Sequence, residues 1–271
     1  MRDLTTEEKV RKFYDTQGWE KNPSGNYVDT ELWGDLRECT RDYVSACRRK
    51  ILKHLPQSGD RILDAASGPV QYPEYLEYSA QFRKRVCVDI SQKALEQAKA
   101  RLGDKGEYFC LSILELPFSD DSFDAAISLF TIFHIDKDQQ EAAVRQLIRV
   151  TKPNHPIVII YANPDDFFSV PRFIRFVKRF IKRLMKGGRS SSADGYLYYY
   201  TYPLSWWKRF EDTCHVEIKS WRILTARYAK LLIPNNAFGK KLLTIVLGFE
   251  NRFPKLSAKL GSYPMIILKK R

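Results

Sequence analysis

The 271-residue sequence lacks the long apolar runs of a membrane-spanning protein. Its best run, Leu242–Phe249, has eight residues, whereas a spanning helix needs roughly 18–20. The N-terminal segment MRDLTTEEKV has no apolar stretch, so we expect no secretory signal. A disordered chain is also excluded, because 44% of the residues are hydrophobic.

Cysteine and histidine are both scarce. The five cysteines are odd in number and scattered, none forms a C-x-x-C pair, and the four histidines are dispersed. This pattern excludes a disulfide framework and a zinc site of the usual spacing. We therefore expect reduced thiols, a cytoplasmic protein and no protein-bound metal.

The net charge of +13 is confined to one part of the sequence. Residues 1–160 carry 23 basic and 25 acidic side chains, whereas residues 161–271 carry 22 basic and 7 acidic ones. Such asymmetry indicates a basic face with its own role rather than a generally basic protein.

Short apolar runs alternate with helical patterns through the first 160 residues. This alternation is typical of a parallel sheet covered on both faces, and two late runs are expected to close the same sheet. The predicted strands are 61–65, 85–89, 107–111, 123–129, 156–161, 216–221 and 264–268. Helices are predicted at about 6–16, 35–55, 74–81, 91–103 and 137–150.

Several polar residues follow the predicted strands, at the edge where open parallel sheets bind ligands. Asp64 ends the first strand and leads into a turn at Gly68, and Asp89 ends the second strand 21 residues later. A carboxylate at that second place can accept both hydroxyls of a ribose. Either acid alone could also be a turn or cap residue. The absence of G-x-G-x-x-G argues against a dinucleotide dehydrogenase.

These residues resemble a known family, the class I S-adenosylmethionine (SAM)-dependent methyltransferases, and within it the type-11 small-molecule branch. The resemblance covers about residues 58–162 and rests on ILDAASGP, VDIS, LPFSDDSFDAAIS, FHI and RVTKPNHPIVIIY, in the family's order. It implies an α/β fold: a Rossmann-like, doubly wound, seven-stranded sheet, mostly parallel with an antiparallel last strand, plus a basic aromatic helical cap.

The resemblance and the pattern along the rest of the sequence together predict how the chain is divided. The N-terminal helices of residues 1–57 would cover the cofactor pocket, and residues 58–163 would form the SAM-binding core. A basic aromatic cap would occupy 164–214, and residues 215–271 would supply the closing strands and a second helical insertion.

The implied cofactor is SAM, with S-adenosylhomocysteine (SAH) as the product. The turn from Asp64 to Gly68 would pass under the methionyl part, Asp89 would hold the ribose, and Tyr14 would close the pocket. The full implied set of cofactor-binding residues is Asp64, Ala65, Ala66, Ser67, Gly68, Asp89, Ile90, Ser112, Ile113, Ser128, Leu129 and Tyr14.

Two positions depart from the family pattern. Its usual G-x-G-x-G turn reads Ala66-Ser67-Gly68-Pro69-Val70 here, so only the central glycine remains. Ser112 stands where the family commonly has an aspartate for the adenine amino group. A serine hydroxyl can accept the same hydrogen bond, but without the assistance of a charge.

Methyl transfer needs a general base only when the acceptor is a poor nucleophile. His134 follows the fourth strand and is the best-placed candidate, although a packing role fits it as well; Tyr161 is a weaker one. The residues Tyr198, Tyr200 and Trp206 belong to an aromatic cluster that would make a pocket wall for a bulky hydrophobic acceptor.

Residues 167–186 predict a helix with one basic and one aromatic-aliphatic face. Three roles stay open: a lid packed on the core, a peripheral contact with anionic membrane, or RNA binding. RNA is disfavoured because the aromatics share a hydrophobic face and no RNA-binding module is evident.

The sequence thus predicts a SAM-dependent methyltransferase for a small hydrophobic or lipid-like acceptor, acting at a membrane surface. The alternatives are a soluble natural-product methyltransferase, an RNA methyltransferase, and an inactive protein that only binds SAM. The acceptor, the methylated atom and the oligomeric state are not predicted.

Overall fold

The computed structural model describes residues 4–168 and 197–271. Within these ranges seven strands form one sheet. The strands are β1 (Gly59–Ala65), β2 (Phe82–Asp89), β3 (Gly106–Cys110), β4 (Ala125–Leu129), β5 (Pro156–Ile160), β6 (Cys214–Arg222) and β7 (Tyr263–Lys270).

The strand order is β3-β2-β1-β4-β5-β7-β6. Neighbours from β3 to β5 pair in parallel, and β7 pairs antiparallel with both β5 and β6. This confirms the predicted fold class. The last strand inserts between β5 and β6, so the carboxyl end of β6 lies at the same edge as those of β1, β2, β4 and β5.

Helices connect and cover the strands. They are α1 (Thr6–Phe13), α2 (Val28–Trp33), α3 (Arg41–Arg49), α4 (Pro73–Glu77), α5 (Gln92–Leu102), α6 (Gln140–Val150), α7 (Ala226–Leu232), α8 (Ala237–Arg252) and α9 (Pro254–Leu260). A π turn (Tyr14–Gly18) follows α1, and 3₁₀ turns span Glu38–Thr40, Lys50–His54, Gly103–Lys105, Ile132–His134 and Leu204–Phe210.

The second predicted helix is shorter than the sequence indicated. We predicted a start at Asp35, yet α3 begins at Arg41 after a 3₁₀ turn and is followed by another. Asp35 does not cap a helix because its carboxylate is taken by the Arg37 guanidinium, with a 2.8 Å ion pair. The short helix α2 was not predicted.

The sheet is buried on both faces, as the continuous apolar runs predicted. In β5, Ile157 and Ile159 belong to one core cluster, whereas Val158 and Ile160 belong to the other. Trp207 and Phe210, from the segment expected to form a cap, are fully buried in the first cluster. That part of the segment is therefore part of the core.

The basic aromatic helix predicted at 167–186 falls almost wholly in residues 169–196, outside the described residues. In the described ranges, no helix combines the length and apolarity needed to cross a bilayer. The same ranges contain no group of three or more His, Cys, Asp or Glu side chains arranged to hold a metal ion.

A buried carboxylate joins α3, β6 and α8. Glu250 is 1% exposed and pairs with Lys50 at 2.6 Å. It also accepts hydrogen bonds from the Tyr43 hydroxyl and the Ile223 backbone amide, both at 2.7 Å. Lys50 in turn donates to the carbonyl of Trp221 at 2.9 Å. The network fixes the end of β6 against the helical layer.

Glu250→Ala is expected to lower the free energy of unfolding by about 3–5 kcal/mol, because it leaves the Lys50 ammonium buried without a counter-charge. Urea denaturation followed by far-UV circular dichroism measures the change. The matched control is Asp42→Ala, which breaks the exposed Lys240–Asp42 pair and should change stability little. Equal losses in the two variants would contradict this role of Glu250.

Candidate functional site

A cavity of about 560 Å³ opens at the carboxyl edge of the sheet. Its wall includes the turn after β1, the residues that follow β2 and β4, the end of β6 and the start of β7. This is the edge where the sequence predicted a ligand site, since the strands end there and their polar termini face the same space.

The turn after β1 keeps a glycine-like backbone although two of its residues are not glycine. Ala66, Gly68 and Val70 have φ angles of 61°, 55° and 52°. These are the three positions at which the family pattern has glycine, and left-handed backbone is costly for alanine and more so for a β-branched residue. At Gly68 a Cβ would also lie 3.2 Å from the Trp19 ring.

Asp89 lies on the cavity wall at the end of β2, with Ile90 beside it. Its carboxylate accepts hydrogen bonds from the amides of Gly68 and Ser91, both at 2.8 Å. A carboxylate has about four acceptor sites, so two remain for a ligand. Burial raises the pKa of Asp89 to about 6, and the two amides oppose that rise.

Asp64 lies on the same wall, but its carboxylate is already engaged. The Arg85 guanidinium from β2 binds it, with Nε 3.0 Å from Oδ2, and both side chains are almost fully buried. Arg85 also donates to the carbonyl of Tyr75. The carboxylate of Asp64 therefore holds the end of β1 against the middle of β2.

The π turn after α1 closes one side of the cavity. Tyr14 and Trp19 both line it and stack with ring centroids 4.7 Å apart. Tyr14 also hydrogen-bonds to Asp29, whose pKa burial raises to about 6.

The other predicted cofactor residues divide into two groups. Ala66, Ser67 and Leu129 lie on the wall. Four others do not line the cavity: Ala65, Ser112, Ile113 and Ser128. Ala65 and Ser128 are fully buried in the sheet, Ile113 packs in the core, and the hydroxyl of Ser112 donates to Glu7 of α1.

His134 lies on the wall after β4, as predicted. Its Nδ1 is 2.7 Å from the carbonyl oxygen of Tyr198, and since a carbonyl only accepts, Nδ1 carries the hydrogen. Nε2 is then the acceptor atom of the ring. Burial lowers the pKa of His134 to about 4, so the imidazole is neutral at pH 7.

The remaining predicted residues lie away from the cavity. Tyr161 is fully buried, donates to Gln140 at 2.8 Å and accepts from the amide of Tyr202, so we drop it as a catalytic candidate. Tyr198 and Tyr200 are also off the wall, whereas Leu197 and Tyr199 line it. In this extended segment alternate side chains face opposite ways, and the sequence did not reveal which set faces inward.

Trp206 also lies outside the wall, stacked on Tyr202 at 4.8 Å. The aromatic wall is instead formed by residues that sequence reasoning missed. Phe130, Trp221 and Tyr263 contact one another edge to face, with centroids 5.0 to 6.0 Å apart. Phe130 directly follows β4, Trp221 belongs to β6 and Tyr263 begins β7. The local sequence pattern could not show that these three strands meet at one edge.

Comparison with known proteins agrees with this geometry. Residues 63–159 match the family described as methyltransferase domain. A demethylmenaquinone methyltransferase of Clavibacter sepedonicus is 35% identical over 106 residues, which cover 38% of this chain and 42% of that protein. A ubiquinone/menaquinone biosynthesis C-methyltransferase of Geotalea daltonii is 28% identical over 205 residues, 70% of this chain and 78% of that protein.

Over residues 63–159 the chain is therefore similar to the methyltransferase domain family. The fold extends beyond the matched residues. Geranyl diphosphate C-methyltransferase of Streptomyces coelicolor, solved with SAH and geranyl diphosphate, superposes with a TM-score of 0.56 over 99% of this chain and 98% of that chain, at 15% identity. The chain spans about half the length of the first curated relatives it matches, 42% and 57%.

The strained turn after β1 gives a test. Ala66→Gly is expected to raise the free energy of unfolding by about 0.5–1 kcal/mol, because glycine adopts φ near +60° without steric cost. Thermal and urea denaturation measure the change. The control is Ala65→Gly in the adjacent strand, where glycine should destabilise. If Ala66→Gly destabilises as much as Ala65→Gly, the turn is not strained.

Proposed function

We propose that this chain is a methyltransferase that moves a methyl group from SAM to a small, hydrophobic or lipid-like acceptor. One observation carries the proposal: a single cavity has the acidic, tightly turned wall of a nucleoside site at one end and a wall of aromatic rings at the other. The alternative is a protein that binds SAM but does not convert it to SAH.

The residues on the wall fit the cofactor. Asp89 has acceptor sites left for the two ribose hydroxyls, and Gly68 allows close approach of the backbone. Ile90 and Leu129 offer apolar contacts, while the stacked Tyr14 and Trp19 close that side of the cavity. When bound, SAM supplies a methyl group on an activated sulfonium, so the protein's contribution is largely to hold the acceptor in line with it.

His134 is the group we propose to receive a proton from the acceptor. Its Nδ1–H donates to the Tyr198 carbonyl, which fixes the ring and leaves Nε2 as the acceptor atom. The low pKa keeps the imidazole neutral at pH 7, ready to accept a hydrogen bond. This role is needed only if the methylated atom is a hydroxyl oxygen or a carbon.

The nature of the acceptor follows from the other wall. The rings of Phe130, Trp221 and Tyr263, together with Phe133 and Tyr199, offer an apolar surface of aromatic faces and edges. Relatives named for demethylmenaquinone and a fold neighbour crystallised with geranyl diphosphate act on or bind compounds with hydrophobic bodies. A small acceptor of the same general character suits this wall.

Calorimetry with SAH tests the cofactor site. Wild type should bind SAH most tightly above pH 6, since Asp89 is ionised there, and affinity should fall as the pH drops through about 6 and the carboxylate protonates. Asp89→Asn should weaken binding about tenfold or more at pH 7.5 and remove most of the pH dependence.

Asp29→Asn is the control for that experiment, because Asp29 lies on the same wall and also has a pKa of about 6. The Asp29→Asn variant should still lose affinity for SAH as the pH drops through about 6. The proposal would be contradicted if wild type did not bind SAH. It would also be contradicted if Asp89→Asn kept the wild-type dependence of SAH affinity on pH. Release of SAH from SAM with an added quinol or phenol panel then separates an enzyme from a SAM-binding protein.

We further propose that the acceptor is met at an anionic membrane surface. The exposed face of α8 carries Phe238 and Ile245, each 62% exposed, with Phe249 farther along the same side. Residues 226–271 contain ten Lys and Arg but a single acid, Glu250, which is buried against Lys50. An apolar row flanked by cations suits a headgroup region.

The surface near the cavity is also apolar. Leu231 and Leu232 at the end of α7 are exposed, and Arg37 donates to the carbonyl of the next residue, Ile233, at 2.7 Å. That contact brings the segment carrying Trp33 and Leu36, both exposed and both on the cavity wall, against α7. A lipid-like acceptor would reach the cavity from this side.

Vesicle sedimentation tests the membrane contact. Wild type should co-sediment with phosphatidylcholine vesicles that contain phosphatidylserine, and less with pure phosphatidylcholine or at high salt. Ile245→Asp should reduce the bound fraction several-fold, because it places a charge in the apolar row. Gln81→Asp, in an exposed turn at the opposite edge of the sheet, adds the same charge and should have no effect. Equal binding by both variants would remove α8 from the contact.

A further inference from the structure

Arg222 is a buried cation that no carboxylate contacts in the described part of the chain. It ends β6, is 7% exposed and lies on the cavity wall. Among the described residues, no carboxylate or carbonyl binds its guanidinium, and its Nε is buried without a hydrogen-bond partner. Its neighbours are two rings: the guanidinium carbon lies 5.1 Å from the centroid of Trp221 and 5.2 Å from that of Tyr263.

The acids around the cavity are already engaged. Asp64 pairs with Arg85, Asp35 with Arg37, and Glu250 with Lys50. The remaining acids on the wall are also bound: Asp89 accepts from two backbone amides, and Asp29 from Tyr14 and Gln71. Arg222 is within electrostatic range of Tyr43 and Cys47, which both bind Glu250, but no described carboxylate contacts its guanidinium. Its donors therefore face the cavity without an anion from the described residues.

A β-bulge in β6 turns the Arg222 side chain toward the cavity. Ser220 pairs with Pro264 and Arg222 pairs with Tyr263, so Trp221 is an extra residue in the ladder. Neighbouring side chains of a regular strand point to opposite faces, yet both Trp221 and Arg222 line this cavity. Bulges re-aim side chains in this way and are frequent beside functional sites.

Arg222 lies far from Asp89, at whose end of the cavity (the nucleoside end) we propose that the nucleoside of SAM binds. Asp89 ends β2 and Arg222 ends β6, five strand intervals away in the sheet order. At about 4.8 Å per interval the two strand ends are roughly 24 Å apart along the edge. Between them lies the aromatic wall of Phe130, Trp221 and Tyr263, so Arg222 lies at the acceptor end of the cavity.

We propose that Arg222 binds an anionic group of the acceptor, a carboxylate or a phosphate, while the apolar body of the acceptor packs on the aromatic wall. The inference rests on the proposed function, because it assumes that the second half of the cavity takes the methyl acceptor. A planar guanidinium offers several donors to such an anion, and the low-polarity wall strengthens the contact. Arg222 is thus a specificity-determining residue.

The experiment compares charged and neutral probes of the same apolar body. Protein saturated with SAH is titrated with decyl phosphate, decanoate and decanol below their aggregation limits, and binding is followed by tryptophan fluorescence, since Trp221 lies beside Arg222. Wild type should bind at least one of the two anions about tenfold or more tightly than decanol. Arg222→Met should lose that preference, and Arg222→Lys should keep part of it. Arg227→Gln, an exposed cation on α7, is the matched control and should behave as wild type.

Three results would overturn the inference. Wild type could bind no probe, or bind the alcohol as tightly as the anions. Arg222→Met could retain the preference for an anion. The variant could instead lose affinity for SAH, which would assign the charge to the methionyl carboxylate of the cofactor.

The melting temperature of each variant is the control for misfolding. Arg222→Met removes an unpaired buried charge and should melt no lower than wild type. If wild type fails to bind SAH at all, it is the proposed function that fails, and that result is read before any probe is added.

Discussion

The buried ion pair between Asp64 and Arg85 is the constraint on which the candidate site depends. It ties the end of β1, where the turn to Gly68 begins, to the middle of β2, the strand that ends at Asp89. The turn after β1 then brings the Gly68 amide to the Asp89 carboxylate, at 2.8 Å. A buried pair contributes little net stability, but losing either partner is costly, so it holds one arrangement in preference to others.

The same principle of paired charge distinguishes the two ends of the cavity. At one end the carboxylates of Asp64, Asp29 and Asp89 all have partners among the described residues, which leaves limited free acceptor capacity at Asp89. At the other end Arg222 lies against aromatic rings, and no carboxylate among residues 4–168 and 197–271 contacts it. The basic excess of the C-terminal part therefore has an inward component, Arg222, besides the outward cations around α8.

The sequence predicted the sheet well, because strands buried on both faces leave continuous apolar runs such as that of β5. It also identified Asp89 and His134 as residues of the edge, since Asp89 ends the second strand and His134 lies in the segment after the fourth. It could not show that Ala66 and Val70 keep left-handed backbone, for neither residue type favours it. Arg222 was invisible for another reason: its burial depends on a bulge and on the insertion of β7 between β5 and β6, which are properties of the assembled sheet.

A crystal structure with SAH bound tests the central claim most directly, because it locates the cofactor and its sulfur in the cavity. The account predicts that both ribose hydroxyls lie within hydrogen-bond distance of the Asp89 carboxylate. It also predicts that the sulfur faces the space bounded by Phe130, Trp221 and Tyr263, with His134 on its border. A ribose bound elsewhere, or a sulfur facing away from the aromatic wall, would contradict the account.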